Sequence, residues 1–295
     1  MDELTSIKTV KKLSVLKKNI YPLLIGISII IMGSSRIHSQ SHLIMSYNIR
    51  YDNSLDDLNN WEIRKDKVLE IFTDYDPGII GIQEGLINQV QYIDSSLMNY
   101  DYFGVGRDDG KSKGEFCSIF YDRNRYILND HSTFWLSETP DHVSVGWDAA
   151  LERICTYGLF KDTEYGDSFW VFNTHFDHMG LVAREKSSEL ILDKIDKVNH
   201  ENLPIILMGD FNSMPKSQPI KKVKSKLFDG LDISLKELNG PIGTYNAFNT
   251  DLPIEKRIDY IFVNDFKVDV YTHINDRLND NRHISDHLPV LIKVQ

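Results

Sequence analysis

Short apolar segments of strand character recur along the chain after residue 40, and they limit the fold more than any other feature. GIIGIQ, residues 78–83, is rich in isoleucine and is typical of a buried strand. Similar runs, several of them rich in β-branched and aromatic residues, predict strands at 42–49, 115–121, 153–160, 168–175, 203–210, 257–263 and 288–294. We therefore expect the core to be built around β-sheets.

Helical patterns separate only some of these strands. Apolar residues recur at helical spacing over 61–75, from Leu86 to Leu97, and again over 181–198. Between 115 and 175, in contrast, strand follows strand with no helical segment. Consecutive parallel strands need a long crossover, which is usually a helix. The order of elements therefore predicts an α/β fold with mixed sheets that are not purely parallel.

The first 40 residues have the pattern of an export segment. Five lysines at positions 8–18 precede an apolar run, Tyr21–Met32, and small and polar residues follow it. This is the order of a signal peptide, and the run is shorter than the roughly 20 residues that span a membrane. We therefore expect residues 1–40 to be an export signal, with an uncleaved membrane anchor as the alternative. The protein would then act in the periplasm or outside the cell.

Export bears on the two cysteines as well. An oxidising compartment permits a disulfide between Cys117 and Cys155. Each cysteine stands inside an apolar, strand-like stretch, however, and neither has the spacing of a metal site. The sequence therefore favours two buried free thiols over a disulfide.

Charge is distributed unevenly along the chain. Residues 1–39 carry a net charge of +4 within a total of −10, so the remaining residues carry −14. An acidic body repels polyanions, whereas tight nucleic-acid binding without sequence preference depends on Lys and Arg neutralising phosphates. The composition therefore favours a small substrate, and nucleic acid remains a possible partner only through a local basic patch.

Polar residues of the catalytic type stand at or near one end of six of the apolar segments. Singly, an Asp or Asn after a strand usually forms a turn or caps a helix, but six such cases are hard to explain as independent turns. The motifs are YNIR (47–50), QE (83–84), NTHFDH (173–178), GDFN (209–212), RIDY (257–260) and SDH (285–287). We expect them to converge on one site, which makes residues 41–295 a single catalytic domain.

These residue types suit the hydrolysis of a phosphate ester. The reaction needs a cation to neutralise phosphate oxygens, a base or dipole that orients the attacking water, and donors for the transition-state charge. Carboxylate and carboxamide oxygens are hard ligands that suit Mg²⁺ or Mn²⁺, which fits Glu84 and Asp286 with help from Asn48. His175 and His287 suit acid–base and oxyanion roles.

Asp259 has its own explanation. It stands inside an otherwise apolar strand, and a buried carboxylate needs a partner. A histidine that it orients would supply that partner.

In their order and residues, the six motifs resemble those of the endonuclease/exonuclease/phosphatase superfamily, whose fold is that of deoxyribonuclease I. The resemblance covers about residues 42–295. It implies a four-layer α/β sandwich, in which two mixed β-sheets pack face to face with helices outside. It also implies a site at the end of the sandwich where the strand ends meet. GVGRDDG (104–110), FWLSETP (134–140) and GWDAALERICTY (146–157) resemble a bacterial branch of phosphoesterases.

The resemblance implies roles by position on the metal side and at the attacking water. Glu84 matches the metal-binding glutamate, and Asn48 and Asp286 match residues beside that metal. Asp210 matches the aspartate that orients or deprotonates the attacking water. Asn212 matches the asparagine that donates to the phosphate.

The same resemblance implies roles for two histidines and an arginine. His287 matches the histidine close to the scissile phosphate, and Asp259 matches the acid that orients it. His175 matches a histidine of the deoxyribonuclease-like members. Arg153 stands where some members place a phosphate-contacting arginine, and a surface or ion-paired arginine is the alternative.

The sequence thus predicts a Mg²⁺- or Mn²⁺-dependent phosphoesterase. The expected substrate is small: a sugar phosphate, a nucleotide or a lipid head group. A secreted endo- or exonuclease is the alternative, because the fold does not choose the substrate. An inactive binding module on the same scaffold is a remote alternative, since every principal catalytic position is filled. No obligate protein partner is indicated, and membrane contact would come only through an uncleaved N-terminal segment.

Overall fold

Two six-stranded β-sheets form the centre of the molecule in the computed structural model, which describes residues 41–295. The predicted export segment, residues 1–40, lies outside this range. The first sheet contains β1 His42–Asn48, β2 Ile79–Gln83, β3 Tyr100–Phe103, β4 Ile119–Asp122, β11 Val268–His273 and β12 Val290–Val294. Its strand order is β11-β12-β1-β2-β4-β3. β1 and β2 pair in parallel, and the other neighbours pair antiparallel.

The second sheet contains β5 Tyr126–Trp135, β6 Ile154–Asp162, β7 Ser168–His175, β8 Ile205–Asp210, β9 Phe228–Asp229 and β10 Asp259–Asn264. Its strand order is β5-β6-β7-β8-β10-β9. β7 and β8 pair in parallel, and the remaining neighbours pair antiparallel. Both sheets are therefore mixed, as the run of strands without helices predicts.

Helices cover the outer faces of the sheets. They are α1 Trp61–Tyr75, α2 Ile87–Ser96, α3 Leu181–Val198 and α4 Gln218–Val223, and a 3-10 helix spans Ser54–Asn59. α1 begins where the side chain of Asn60 accepts a hydrogen bond from the backbone N–H of Ile63, and it ends at Asp76 in a left-handed conformation. Both features are ordinary helix boundaries, and they agree with the predicted range.

Three apolar clusters separate the four layers. Successive side chains of a strand point to opposite faces, so Ile44 packs in the cluster between the sheets while Met45 packs under α1 and α2. The central cluster joins Ile44 and Ile79 of the first sheet to Val171 and Ile206 of the second. A third cluster lies between the second sheet and the helices α3 and α4. The predicted four-layer α/β sandwich is confirmed.

The eight predicted strands are the eight interior strands of the two sheets. The four edge strands, β3, β5, β9 and β11, were not predicted. β5 illustrates the reason: most of its ten residues are exposed or half-buried, so it lacks the apolar run that marks a buried strand. Most predicted boundaries differ from the structure by at most two residues. The largest error is at β4, which begins at Ile119, while residues 115–118 lie in the loop before it.

Two further features concern the thiols and the length of the helices. Cys117 and Cys155 are both buried and free, as the sequence favours. Within residues 41–295, no helix combines the length and the apolarity needed to cross a membrane.

Candidate active site

The pairing register of the strands brings the polar motifs to one end of the sandwich. In the first sheet Asn48 lies opposite Gln83, where the parallel strands β1 and β2 end together. In the second sheet Asp210 lies opposite His175 on one side and opposite Asp259 on the other. The ends of parallel strands and the start of an antiparallel neighbour meet at the same edge of a sheet. The strand ends therefore converge, as the six motifs predict.

Gly209, just before Asp210, allows the two parallel strands of the second sheet to approach closely. Its φ is +144°, and a Cβ atom there would lie 2.0 Å from the carbonyl oxygen of Thr174. Only glycine fits this position. The glycine of the GDFN motif is thus explained by the backbone that positions Asp210.

A buried hydrogen bond joins the two sheets directly beneath the site. Gln83 Nε2 donates to Asn173 Oδ1 at 2.6 Å, and Asn173 Nδ2 donates to the carbonyl oxygens of Ile82 at 2.8 Å and Ser118 at 3.0 Å. Gln83 and Asn173 precede Glu84 and His175 in their motifs by one and two residues. The bridge therefore fixes the distance between the halves of the site that each sheet contributes.

Asp210 is the central group of the site and is buried. One oxygen, Oδ2, accepts from Asn48 Nδ2 at 3.1 Å, and the other accepts from the backbone N–H of Asn212 at 2.8 Å. Nε2 of His175 and Nε2 of His287 lie 3.4 and 3.7 Å from Oδ2. Burial, with a further contribution from the charge of Asp259, raises the pKa of Asp210 to about 7.

His287 is held from behind by Asp259. The imidazole Nδ1 lies 2.8 Å from Asp259 Oδ2, and Thr244 Oγ1 donates to the same oxygen at 2.6 Å. Since a carboxylate can only accept, Nδ1 carries a proton and Nε2 faces Asp210. Burial lowers the pKa of His287, but the charges of Asp259 and Asp210 outweigh burial and hold it well above its usual value. The two carboxylates therefore favour the protonated form of His287.

His175 differs from His287 in its charge. Burial lowers its pKa well below the usual value, and the nearby charge of Arg153 lowers it further. Asn212 Nδ2 lies 3.2 Å from His175 Nε2, which makes that nitrogen the acceptor and leaves the proton on Nδ1. His175 is therefore neutral, and the two histidines that face Asp210 are in different protonation states.

Glu115 is a residue of the site that the sequence did not point to. Its Oε2 lies 3.7 Å from His175 Nδ1 and 2.6 Å from Arg107 Nη1. Burial, reinforced by the charge of Glu84, raises its pKa to about 7. Glu115 stands in the loop before β4, which is antiparallel to β2, so it lies at the same edge of the sheet as the end of β2. The misplaced start of β4 had hidden it within a predicted strand.

Glu84 and Asp286 form the acidic side of the site, with Asn48 between carboxylates. Asn48 Nδ2 donates to Glu84 Oε1 at 3.1 Å as well as to Asp210, and Asn48 Oδ1 accepts from the backbone N–H of Arg50 at 3.1 Å, which leaves it one lone pair. Burial raises the pKa of Asp286, and the charge of Glu84 adds to the shift. A cation placed among these oxygens would relieve that repulsion, so the donor set fits a hard divalent metal.

The site contains a second cluster of possible metal ligands, formed by Asp210, Asp259 and His287. Ligand atoms of Asp210, Asp259 and His287 lie within 4.8 Å of one another, close enough to hold an ion. Asp259 Oδ2 and His287 Nδ1 are already hydrogen-bonded to each other, however. We interpret these three residues as a hydrogen-bonded acid–base group and not as the metal site.

Arg153 is a buried, ion-paired arginine at the wall of the site. Its Nε lies 3.4 Å from Asp177 Oδ2, and its Nη2 lies 3.0 Å from His178 Nδ1. Nη1 has no hydrogen-bond partner among residues 41–295. Arg153 is therefore partly engaged by the protein and retains a donor group.

The converging residues line an open pocket of about 870 Å³. Asn48 and Asp259 are not among the lining residues, but Asn48 contacts Glu84 and Asp210, and Asp259 contacts His287, all three of which line the pocket. The other residues predicted for the site do line it: Glu84, Arg153, His175, Asp210, Asn212, Asp286 and His287. Further lining residues are Arg50, Tyr51, Asp52, Arg107, Asp108, Glu115, His178, Tyr245 and Lys256.

Comparison with known proteins gives concordant matches. Residues 45–287 match the Endonuclease/Exonuclease/phosphatase family. An endonuclease/exonuclease/phosphatase from Bacteroides vulgatus is 38% identical, with a TM-score of 0.82 over 87% of this chain and 99% of that chain. A mannosyl-6-phosphatase from Bacteroides thetaiotaomicron VPI-5482 is 37% identical, with a TM-score of 0.83 over 86% and 99%. An uncharacterized protein of Acanthamoeba polyphaga mimivirus is 30% identical over 79% of this chain and 91% of its own length.

Proposed function

The chain belongs to the endonuclease/exonuclease/phosphatase family of phosphoesterases, and from that premise we propose that it is a divalent-metal-dependent phosphatase of a small phosphate ester. One observation carries the proposal. Asp210 is buried and held by Asn48, and it faces the Nε2 atoms of His175 and His287 at 3.4 and 3.7 Å. A carboxylate flanked by two imidazoles at an open pocket suits the activation of water for attack on phosphorus.

The proposed metal ligands are Glu84 and Asp286, with Asn48 beside them. Their oxygens are the hard ligands that Mg²⁺ and Mn²⁺ prefer. Both carboxylates line the pocket, and they repel each other. A bound ion would neutralise the phosphate oxygens and the leaving oxygen.

We assign the proton-handling roles to Asp210 and His287. Asp210 orients the attacking water and accepts its proton, for which a pKa of about 7 is well matched at neutral pH. His287 keeps Nδ1–H on Asp259, so its Nε2–H is available to donate to a phosphate oxygen. His175, which is neutral, would act as a hydrogen-bonding group and not as a charge.

Asn212 is proposed to donate to the phosphate, with one rearrangement. Its Nδ2 now contacts the carbonyl oxygen of Phe176 at 3.0 Å and His175 Nε2 at 3.2 Å, so both amide hydrogens are in use. A phosphate oxygen would replace His175 as the acceptor. Arg153 is proposed as a second phosphate contact through its Nη1, which makes no hydrogen bond within residues 41–295 and lies 4.0 Å from Glu115 Oε2.

We favour a hydroxyl-rich substrate, such as a sugar phosphate. The two tyrosines of the pocket wall already contact cations, because Arg50 lies 4.4 Å over Tyr51 and Lys256 lies 5.7 Å over Tyr245. A nucleobase would have to displace these contacts in order to stack. Neighbouring guanidinium and carboxylate groups, such as Arg107 and Glu115, offer donors and acceptors to hydroxyl groups instead. The similarity to a mannosyl-6-phosphatase supports the same choice.

We also propose that the protein is exported and acts in the periplasm or outside the cell. The basic residues, the apolar run and the polar exit of residues 1–40 support this location. A small phosphate ester met there would be hydrolysed without a protein partner.

A substrate screen tests the proposal. The purified protein is given sugar 6-phosphates, nucleoside monophosphates, phosphocholine, bis(4-nitrophenyl) phosphate, single-stranded RNA and duplex DNA, each with Mg²⁺, with Mn²⁺ and with excess chelator. We expect the fastest turnover with a sugar phosphate, and its loss in chelator. Cleavage confined to the nucleic acids would establish the nuclease alternative, and full activity in chelator would refute the metal.

Matched variants link any activity to the site. Glu84→Gln should remove it. Glu201→Gln, an exposed glutamate before the start of β8 and so at the opposite end of that strand from Asp210, should retain it. Activity that survives equally in both variants would come from a contaminant or from another site.

A further inference from the structure

Two polar side chains behind the pocket, Arg64 on α1 and Gln89 on α2, bind the backbone of the loops that carry the proposed metal ligands. Both side chains are fully buried, and neither lines the pocket. They are therefore out of reach of a substrate. Any effect that they have on the reaction must pass through the loops that they hold.

Arg64 joins two loops that are far apart in the sequence. Its Nη1 donates to the carbonyl oxygens of Ile49 at 2.8 Å and Ile284 at 2.9 Å, and its Nη2 donates to that of Arg50 at 3.2 Å. The first loop follows Asn48, and the second precedes Asp286. One guanidinium thus fixes the ends of the first and last motifs relative to each other.

The partners of Arg64 are unusual for a buried charge. Among residues 41–295, no carboxylate lies within 4.0 Å of its guanidinium, and burial lowers the pKa of Arg64. A buried cation is costly unless it is well compensated, and here backbone carbonyls provide most of the compensation. A site lined by several carbonyl oxygens favours arginine, whose planar guanidinium carries five N–H donors.

Gln89 joins the first loop to the loop that follows β2. Its Nε2 donates to the carbonyl oxygen of Arg50 at 3.0 Å, and its Oε1 accepts from the backbone N–H groups of Asp52 at 2.8 Å and Leu86 at 3.0 Å. The carbonyl of Arg50 therefore receives hydrogen bonds from both Arg64 and Gln89. Together the two side chains form a clamp on three loops.

The clamp holds backbone that would otherwise relax. Arg50 and Glu84 have φ values of +58° and +64°, in the left-handed region that residues other than glycine rarely adopt. Such conformations persist only where the surrounding structure enforces them. The conformation of Glu84 turns its side chain towards Asn48 at the end of the adjacent strand.

We propose that Arg64 and Gln89 are positioning residues for the divalent metal. They hold the loops of Asn48, Glu84 and Asp286, the residues whose oxygens would bind the ion. Outer partners of metal ligands tune affinity in this way. This inference rests on the metal site proposed above. It adds that Arg64 and Gln89, which line no part of the pocket, determine how tightly the site binds the metal.

The test measures metal binding directly. Gln89→Met keeps the length of the side chain and removes its three hydrogen bonds, and Mn²⁺ affinity is measured by electron paramagnetic resonance titration. We expect Mn²⁺ to bind at least about tenfold more weakly. The Mg²⁺ concentration for half-maximal activity should rise in parallel, whereas KM for substrate at saturating metal should not change. Arg64→Met should weaken Mn²⁺ binding further, and Arg64→Lys, which keeps the charge and some donors, should recover part of the loss.

A buried carboxylate at the other end of the sandwich provides the control. Asp162 Oδ1 accepts from the backbone N–H groups of Glu164 at 2.8 Å and Tyr165 at 3.0 Å, far from the strand ends that form the site. Asp162→Ala should lower the melting temperature and leave Mn²⁺ affinity unchanged. If the Arg64 variants do not fold, Gln89→Met decides alone.

Two outcomes would overturn the inference in different ways. If Gln89→Met loses stability as Asp162→Ala does but binds Mn²⁺ like the wild type, the clamp is merely structural and the proposed function is untouched. If the wild type itself binds no Mn²⁺, the proposed metal site is wrong, and the clamp loses its role with it.

Discussion

The contact between Asp259 and His287 gives the sharpest prediction about catalysis. Asp259→Asn replaces the carboxylate that accepts Nδ1–H of His287 with a neutral amide of the same shape. The hydrogen bond is buried and charge-assisted, and its length is 2.8 Å. The fold should survive, because Thr244 can still donate to the oxygen of the new amide.

The magnitude follows from the negative charge that this hydrogen bond loses, because His287 Nδ1 and Thr244 Oγ1 contact the same oxygen, Asp259 Oδ2, and an amide oxygen there accepts without a charge. Hydrogen bonds to charged groups contribute about 1.5–3 kcal/mol, and each 1.36 kcal/mol of barrier corresponds to a tenfold change in rate. If the imidazolium acts in the transition state, kcat/KM in Asp259→Asn should fall about 10- to 150-fold. KM should change little, since Asp259 does not line the pocket.

The pH profile reports the same contact independently. The carboxylates around His287 hold its pKa well above the usual value, so its role as a donor is present at low pH and is lost as pH rises through that pKa. Removing the charge of Asp259 lowers the pKa of His287. The alkaline limb of kcat/KM should therefore move to lower pH.

The assay is release of inorganic phosphate from the best substrate of the screen between pH 5 and 10, at saturating Mg²⁺. Asp259→Ala, His287→Ala and the double variant complete a cycle. Residues that act as a unit do not add, so the double variant should be no more than about threefold worse than His287→Ala. Strictly additive losses, or an alkaline limb that does not move in Asp259→Asn, would show that the two residues work independently.

Three further predictions concern the metal, export and substrate size. Glu84→Gln should keep the fold and lose turnover by a factor on the order of 10³ or more, because metal stabilisation supplies several kcal/mol; melting temperature and activity together check this. Mass spectrometry of the native protein should find a mature start near Gln40 or Ser41, and an intact residue 1 in a soluble cytoplasmic fraction would refute export. Turnover of the preferred substrate should fall less than about threefold between 50 and 200 mM salt, whereas a protein that makes 6–10 phosphate contacts would lose roughly 10³–10⁵ in affinity.

The strands that sequence patterns predicted and those that they missed differ in position. Every interior strand, from β1 to β12, has an apolar run because both of its faces are covered. The edge strands lack this signal: β3 has one buried residue among four, and β5 carries a central run of polar, exposed side chains. Edge strands are commonly short, polar or irregular. Apolar patterns in the sequence therefore predict the interior strands of each sheet and miss the strand at each edge.

The site divides in the same way between what local pattern can reveal and what it cannot. Asn48, Asp210 and Asp259 could be predicted because each interrupts or ends an apolar run. Glu115 could not, because it precedes β4 in an irregular loop and approaches His175 only through the antiparallel pairing of β2 with β4. Its relation to the site depends on sheet topology.

The inward-facing roles of Arg64 and Gln89 could not be predicted from the sequence for another reason. Each stands within an amphipathic helix, where a single polar residue is ordinarily taken for part of the solvated face. Only the packing of α1 and α2 against the loops turns these two side chains inward. Polar residues buried within helices are thus the class of functional residue that sequence patterns identify least well.

The central claim is that the site hydrolyses a small phosphate ester with the help of a divalent metal. The most direct measurement compares kcat/KM for the best sugar phosphate with kcat/KM for duplex DNA, in Mg²⁺, for the wild type and for Glu84→Gln. We predict that the small ester is preferred and that its turnover disappears in Glu84→Gln. Rapid, salt-sensitive plasmid cleavage that outpaces every small ester and is lost in Glu84→Gln would contradict the claim and identify the protein as a nuclease.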